Sequence, residues 1–133
     1  MKSIKVVAAV ITRINEGRTE VFATQRGYGE FKDGWEFPGG KIEPEESPSE
    51  AIVREIHEEL DVIIAIDEFI YTVEYDYPNF HLSMDCFLSH IEEGEPVLIE
   101  HEAAKWLAAE DIDKVNWLPA DIEVVEMLKE RLF

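Results

Sequence analysis

GGKIEPEESPSEAIVREIHEELDV, residues 39–62, sets a glycine pair, a capped helix and a group of carboxylates within two dozen positions. The rest of the chain reads as support for it. Ser47, Pro48, Ser49 and Glu50 form an S-x-x-E capping box with proline at the first helical position, where its missing N–H costs nothing. A helix therefore begins at Pro48, and no glycine or further proline interrupts it before Val62. At about 100° per residue, Ile52, Val53, Ile56 and Leu60 gather on one side, the core side. Glu55, Glu58 and Glu59 fall on the other, spaced i, i+3, i+4, so three carboxylates share one turn and repel one another unless something positive sits among them. A divalent cation is the natural occupant. Oxygen-only ligands suit Mg²⁺ or Mn²⁺, and no Cys or His accompanies the cluster to recruit zinc. Arg54, four residues from both Glu50 and Glu58, is placed to orient a carboxylate.

Composition bounds the partners. The 133 residues read as a single domain spanning 1–133, 46% hydrophobic, without repeats or low-complexity tracts. A formal net charge of −18 argues against a nucleic-acid polymer or an anionic membrane, since both call for basic patches. A small phosphate-bearing substrate would need metal ions to bridge it to such a protein. Cys86 stands alone among apolar residues, so it reads as a buried thiol in a reducing compartment. The apolar run Val6–Ile11 is too short for a signal segment, and the expected location is the cytoplasm.

In chain order, Lys5 to Arg13 reads as a strand buried on both faces, followed by a turn at Asn15, Glu16 and Gly17 and a return strand near Glu20 to Gln25. Arg26 ends that strand, as either a surface ion pair or a substrate contact. The glycine-rich, aromatic segment GYGEFKDGW suits a loop over a ligand site. Phe37 reads as an aromatic wall for a base or as core. Gly39 and Gly40 let the backbone approach a phosphate or offer a carbonyl to a metal, and Lys41 can reach a phosphate as a point charge. After the helix, Val62–Ile66, Phe69–Tyr75 and His81–Ile91 read as strands, with turns at Tyr77–Asn79 and Glu92–Pro96, then a short strand over Ala103–Leu107. His81 reads as an ordinary strand residue, and His57, His90 and His101 carry no catalytic pattern. Helical signals return at Ala108–Asp113 and, after Pro119, at Ala120–Leu132, with Ile122, Val125, Met127, Leu128 and Leu132 as the core face. Strands interleaved with two substantial helices give an α/β sandwich.

Gly40, Glu46, Arg54, Glu55, Ile56, Glu58, Glu59 and Val62 together reproduce the Nudix box, GX5EX7REUXEEXGU with U aliphatic, with Asp61 in place of the last glycine. Asp tolerates the left-handed backbone expected just past a helix better than most residues, so a small strain is the expected consequence. Over its whole length the chain resembles the MutT-type branch of the Nudix family and the related CTP pyrophosphohydrolases, through VVAAVI, WEFPGGKIEP, EYDYPNFHL and LPADIEVVEML. This resemblance implies a Nudix α/β/α sandwich (α/β, or α+β) with a mixed sheet between helices. It further implies Mg²⁺-dependent hydrolysis of a nucleoside triphosphate to the monophosphate and pyrophosphate; whether the protein is a monomer or homodimer stays open. By the same resemblance the Gly39 carbonyl, Glu55, Glu58 and Glu59 bind metal, and Glu46 and Arg54 brace the helix. Glu100 adds a metal ligand or positions the water. Which carboxylate acts as base varies across the family and stays open. Asp121 falls where this branch reads the base; its carboxylate suits an exocyclic amine of cytosine or guanine, and it equally suits a helix N-terminus. Rival activities are hydrolysis of another nucleoside diphosphate derivative and a non-enzymatic nucleotide sensor. The sensor would normally lack box glutamates, and here all are present.

Overall fold

The computed structural model describes residues 2–133, and its organising element is the first strand, β1 (Lys2–Asn15). β2 (Arg18–Gln25) returns from it through Glu16 and Gly17, both at positive φ, the backbone that a two-residue hairpin turn requires. β3 (Trp35–Glu36) and β4 (Gly39–Lys41) precede helix α1 (Pro48–Leu60). There follow β5 (Ile63–Tyr77), β6 (Phe80–Glu93), β7 (Ala103–Leu107) and helix α2 (Pro119–Arg131). The sheet runs β3-β2-β1-β6-β5, with β4 also paired to β1 and β7 to β2. β1 and β6 are parallel and the other strand pairs antiparallel, so the sheet is mixed.

β1 is buried on both faces, and its alternation divides the core in two. Val7, Ala9 and Ile11 point toward α1 and pack with Ile52, Ile56 and Leu60. Ala8 and Val10 point the other way, into a cluster with Val124, Val125 and Leu128 of α2. Each helix thus covers one face of the sheet, the sandwich that the sequence predicts. No described helix is long and apolar enough to cross a membrane.

Helix α1 starts as expected: Ser47 Oγ accepts from the Glu50 amide at 3.1 Å, and Glu50 Oε1 accepts from the Ser47 amide at 2.9 Å. It ends on Asp61, left-handed at φ 55° and ψ 39°, whose amide donates to the His57 carbonyl. Three expectations need correction. Ala108–Asp113 is not a helix but successive turns, Asp111 N to Ala108 O and Lys114 N to Asp111 O, both 2.9 Å. The Trp117 indole N–H takes the Ile112 carbonyl that a helix would need. On α2 the inward stripe is Asp121, Val124, Val125 and Leu128, while Ile122 is 49% exposed. Val125 and Leu128 are buried as expected and Leu132 packs on the same cluster, but Asp121 takes the inward place in the first turn that Ile122 was expected to fill. Finally, the two strands expected at Val62–Ile66 and Phe69–Tyr75 are one continuous strand, β5, which starts at Ile63 and absorbs the break as register shifts against β6.

Candidate active site

Arg54 is the hub of the helix's first turns. Its Nε and Nη2 fork onto Glu46 at 2.6 and 2.9 Å, Nη2 also donates to the Lys41 carbonyl at 3.0 Å, and Nη1 reaches Glu55 at 3.0 Å and Glu58 at 3.2 Å. One guanidinium therefore ties the loop after β4 to the outer face of α1, a planar fork that lysine could not replace. The bonds that Arg54 donates hold the Glu46 carboxyl below the usual range, and acceptance by Glu46, chiefly, holds Arg54 above its own. Glu50, a suggested partner, is instead engaged in the capping box.

Beside this hub lies a cleft of 410 Å³ whose lining includes Arg26, Gly39, Gly40, Lys41, Glu55, Glu59 and Glu100. At both glycines a side chain would meet neighbours: a Cβ on Gly39 would stand 1.9 Å from the Val7 carbonyl oxygen, which is fixed backbone, and one on Gly40 would stand 2.4 Å from the Glu55 carboxylate, which can move. The three helix glutamates do not share one environment. Glu58 is exposed, bonded to Arg54 and outside the cleft lining, whereas Glu59 is 8% exposed and faces Glu55 and Glu100. Burial, then the negative charges of Glu55, Glu100 and Glu36, push the Glu59 carboxyl up to about 9. Its Oε2 has no hydrogen-bond partner. A buried carboxyl facing two further carboxylates fits a hard divalent cation, although no three His, Cys, Asp or Glu side chains among the described residues already stand in metal-binding geometry.

A second cavity adjoins the cleft and shares Arg26, Glu36, Gly39 and Gly40 with it. Its walls are apolar, including Phe37, Tyr77, Phe80 and Met84, with Asp121 as the buried polar group. Phe37 is itself buried and stacks on Trp117, with ring centroids 4.7 Å apart, so it is core and cavity wall at once. Arg26 forks onto Glu36 at 2.9 and 2.7 Å where the two cavities meet. Asp121 Oδ1 accepts from the Phe37 amide at 3.0 Å, and burial, then Glu36, push its carboxyl up to about 8. In the unfolded chain that carboxyl ionises near 3.8, so between these values the folded state holds a proton that the unfolded state has lost, and stability falls as pH rises. Asp121→Asn keeps an oxygen for Phe37 N–H and does not ionise. Urea unfolding at pH 5 and pH 7 should therefore show the variant gaining on the wild type by about 1 kcal/mol per pH unit. A gap that stays constant with pH would refute the buried-acid assignment.

Among the anticipated residues, then, Arg26, Gly39, Gly40, Lys41, Glu55, Glu59 and Glu100 converge on the cleft, Phe37 and Asp121 on the cavity, and Glu46, Arg54 and Glu58 lie outside both linings. Glu36, Tyr77 and His101 were not anticipated. Glu36 comes to the site by tertiary pairing, since Thr24 pairs with Glu36 in a short antiparallel ladder that ends beside Arg26. His101 had no local signal.

The NUDIX domain model matches residues 4–128. The chain is 31% identical over 130 residues to the 8-oxo-dGTP diphosphatase of Escherichia coli K12, covering 97% of this chain and 98% of that one. It is 33% identical over 127 residues to the CTP pyrophosphohydrolase of the same organism, covering 95% and 91%. The crystal structure of the MutT NUDIX hydrolase from Burkholderia pseudomallei superposes with a TM-score of 0.80 at 28% identity, covering 95% of this chain and 98% of that one.

Proposed function

The chain belongs to the NUDIX domain family, and from that premise we propose that it is a Mg²⁺-dependent nucleoside triphosphate pyrophosphohydrolase acting on the triphosphate of an oxidised guanine or of cytosine. The observation that carries this reading is the junction of an acidic cleft with an apolar cavity across Arg26, Glu36, Gly39 and Gly40. A triphosphate has one end for each. The nucleobase enters among Phe37, Tyr77 and Phe80 against Asp121, and the phosphates lie along the glycine pair within reach of Lys41. Glu55, Glu58, Glu59 and the Gly39 carbonyl would hold the ions, Glu58 after leaving its exposed bond to Arg54. Bound there, the cations neutralise polyphosphate charge and acidify water. Glu100 orients the water or adds a ligand. Arg54 and Glu46 keep the helix face rigid, which matters because geometry looser by an ångström costs orders of magnitude in rate.

The test is kcat/KM with Mg²⁺ for 8-oxo-dGTP, dGTP, CTP, dCTP and 5-methyl-dCTP, following pyrophosphate. One class, oxidised guanine or cytosine, should exceed dGTP by about tenfold or more, and Asp121→Ala should cost the preferred substrate most, by about 1–3 kcal/mol. No pyrophosphate from any of the five would overturn the assignment.

A further inference from the structure

Two buried side-chain atoms among the described residues lack a hydrogen-bond partner, Glu59 Oε2 and His101 Nδ1, and they belong to neighbouring groups. His101 Nε2 stands 3.7 Å from Glu59 Oε2, and the two side chains are only 9% and 10% exposed. Among the described residues, no other basic side chain comes within 4.0 Å of the Glu59 carboxylate. The remaining charged groups around Glu59 are Glu55, Glu100 and Glu36, none of which donates a hydrogen bond when ionised. Arg54 is committed to Glu46, Glu55, Glu58 and the Lys41 carbonyl, and Arg26 to Glu36.

The backbone fixes this juxtaposition from both sides. In the segment between β6 and β7, Val97 N donates to Leu60 O at 2.8 Å and Ile99 N to Glu59 O at 3.3 Å, which straps the segment onto the end of α1. Just beyond His101, Glu102 N donates to Gln25 O at 2.9 Å on β2. The imidazole is thus held over the glutamate by bonds on either side of it in the chain.

We propose that His101 is a positioning residue for Glu59: its Nε2–H donates to the carboxylate oxygen that a cation does not take, fixing the direction of the other. A closure of about 0.7 Å brings the pair to hydrogen-bonding distance, and the tautomer leaves Nδ1 as an acceptor. Carboxylates that hold metals are themselves commonly fixed by such a partner, whose loss costs about 10- to 100-fold in metal affinity. The proposal rests on the reading of Glu59 as a metal-binding residue.

The experiment titrates Mn²⁺ alone, without nucleotide, into the purified full chain, following free Mn²⁺ by electron paramagnetic resonance. Wild type, His101→Leu, His101→Gln and Glu59→Gln are compared, with kcat and KM measured at saturating Mg²⁺. His101→Leu should weaken Mn²⁺ binding about tenfold or more and lower kcat while KM for the nucleotide holds. His101→Gln, which returns an N–H near the Nε2 position, should recover most of both. Unchanged Mn²⁺ affinity in His101→Leu overturns the proposal, as does a Gln variant no better than Leu, the pattern of a direct ligand, or a rise in KM alone, the pattern of a substrate contact. Should the Leu variant fail to melt cooperatively, His101→Asn, too short to reach Oε2, takes its place under the same criteria. Glu59→Gln separates the two levels: if it too leaves Mn²⁺ affinity intact, the metal-site reading itself falls.

Discussion

Glu59→Gln is expected to silence the enzyme and stabilise the metal-free protein at the same time. Turnover should fall by about a thousandfold or more in kcat/KM, about 4 kcal/mol of transition-state stabilisation, because an amide of the same shape carries no charge for a cation. Stability moves the other way. The Glu59 carboxyl is pushed from its ordinary 4.5 up to about 9. Between these values the folded state keeps a proton that the unfolded chain releases, so the benefit is complete below the lower value and gone above the higher. Glutamine never ionises and avoids the loss, a gain of at most about 5 kcal/mol at pH 8. Urea unfolding in EDTA at pH 6 and pH 8 should show the gap over wild type widening with pH, and Mg²⁺ should narrow it. A variant that retains a tenth of its turnover, or a gap that does not widen, contradicts this account of the cleft.

The second large effect belongs to Gly39. Alanine there would press its Cβ onto Val7 O at 1.9 Å, Val7 C at 2.8 Å and Ala8 Cα at 2.9 Å, all backbone of the central strand. Backbone in mid-sheet cannot step aside as a side chain can, so β4 must leave its register on β1. Gly39→Ala should cost about 3 kcal/mol, at the upper end of overpacking penalties, and lower Tm by about 10 °C. Gly40→Ala is a contrast, since the atoms nearest its Cβ belong to the movable Glu55 carboxylate. That variant should melt close to wild type and lose activity by displacing Glu55, the carboxylate proposed to hold metal. Equal melting temperatures for the two alanine variants would refute the distinction.

What could be read in advance depended on the distance over which each residue is decided. Helix α1 was legible to its first residue because the capping box, the N1 proline and the carboxylate spacing all act within a few positions. The αL turn at Asp61 was legible for the same reason. The burial of Asp121 was not, since its partner is the Phe37 amide, 84 residues away, and any amphipathic count sends an acid outward. The unequal fates of Glu58 and Glu59 lay in the helical period itself. Both neighbour Glu55, but Glu59 stands seven residues from Ile52 and three from Ile56 and so turns inward with them, while Glu58 stays on the exposed flank, a difference that the shared acidic spacing masks. His101 arrives on the strap through Val97 and Ile99, which is why it carried no pattern of its own.

The parallel pairing of β1 with β6 has a consequence for how the protein is made. Ser3 pairs with His81 and Ile11 with Ser89, so one long edge of the first strand waits for a partner almost eighty residues downstream. At ribosomal rates of about 5–20 residues per second, that edge stays bare for roughly 4–16 s of synthesis. The waiting segment includes VVAAVI, uncharged and β-branched, the kind of sequence through which nascent chains misassociate. Birth on the ribosome therefore exposes longest the very strand on which the glycine pair of the active cleft is later laid.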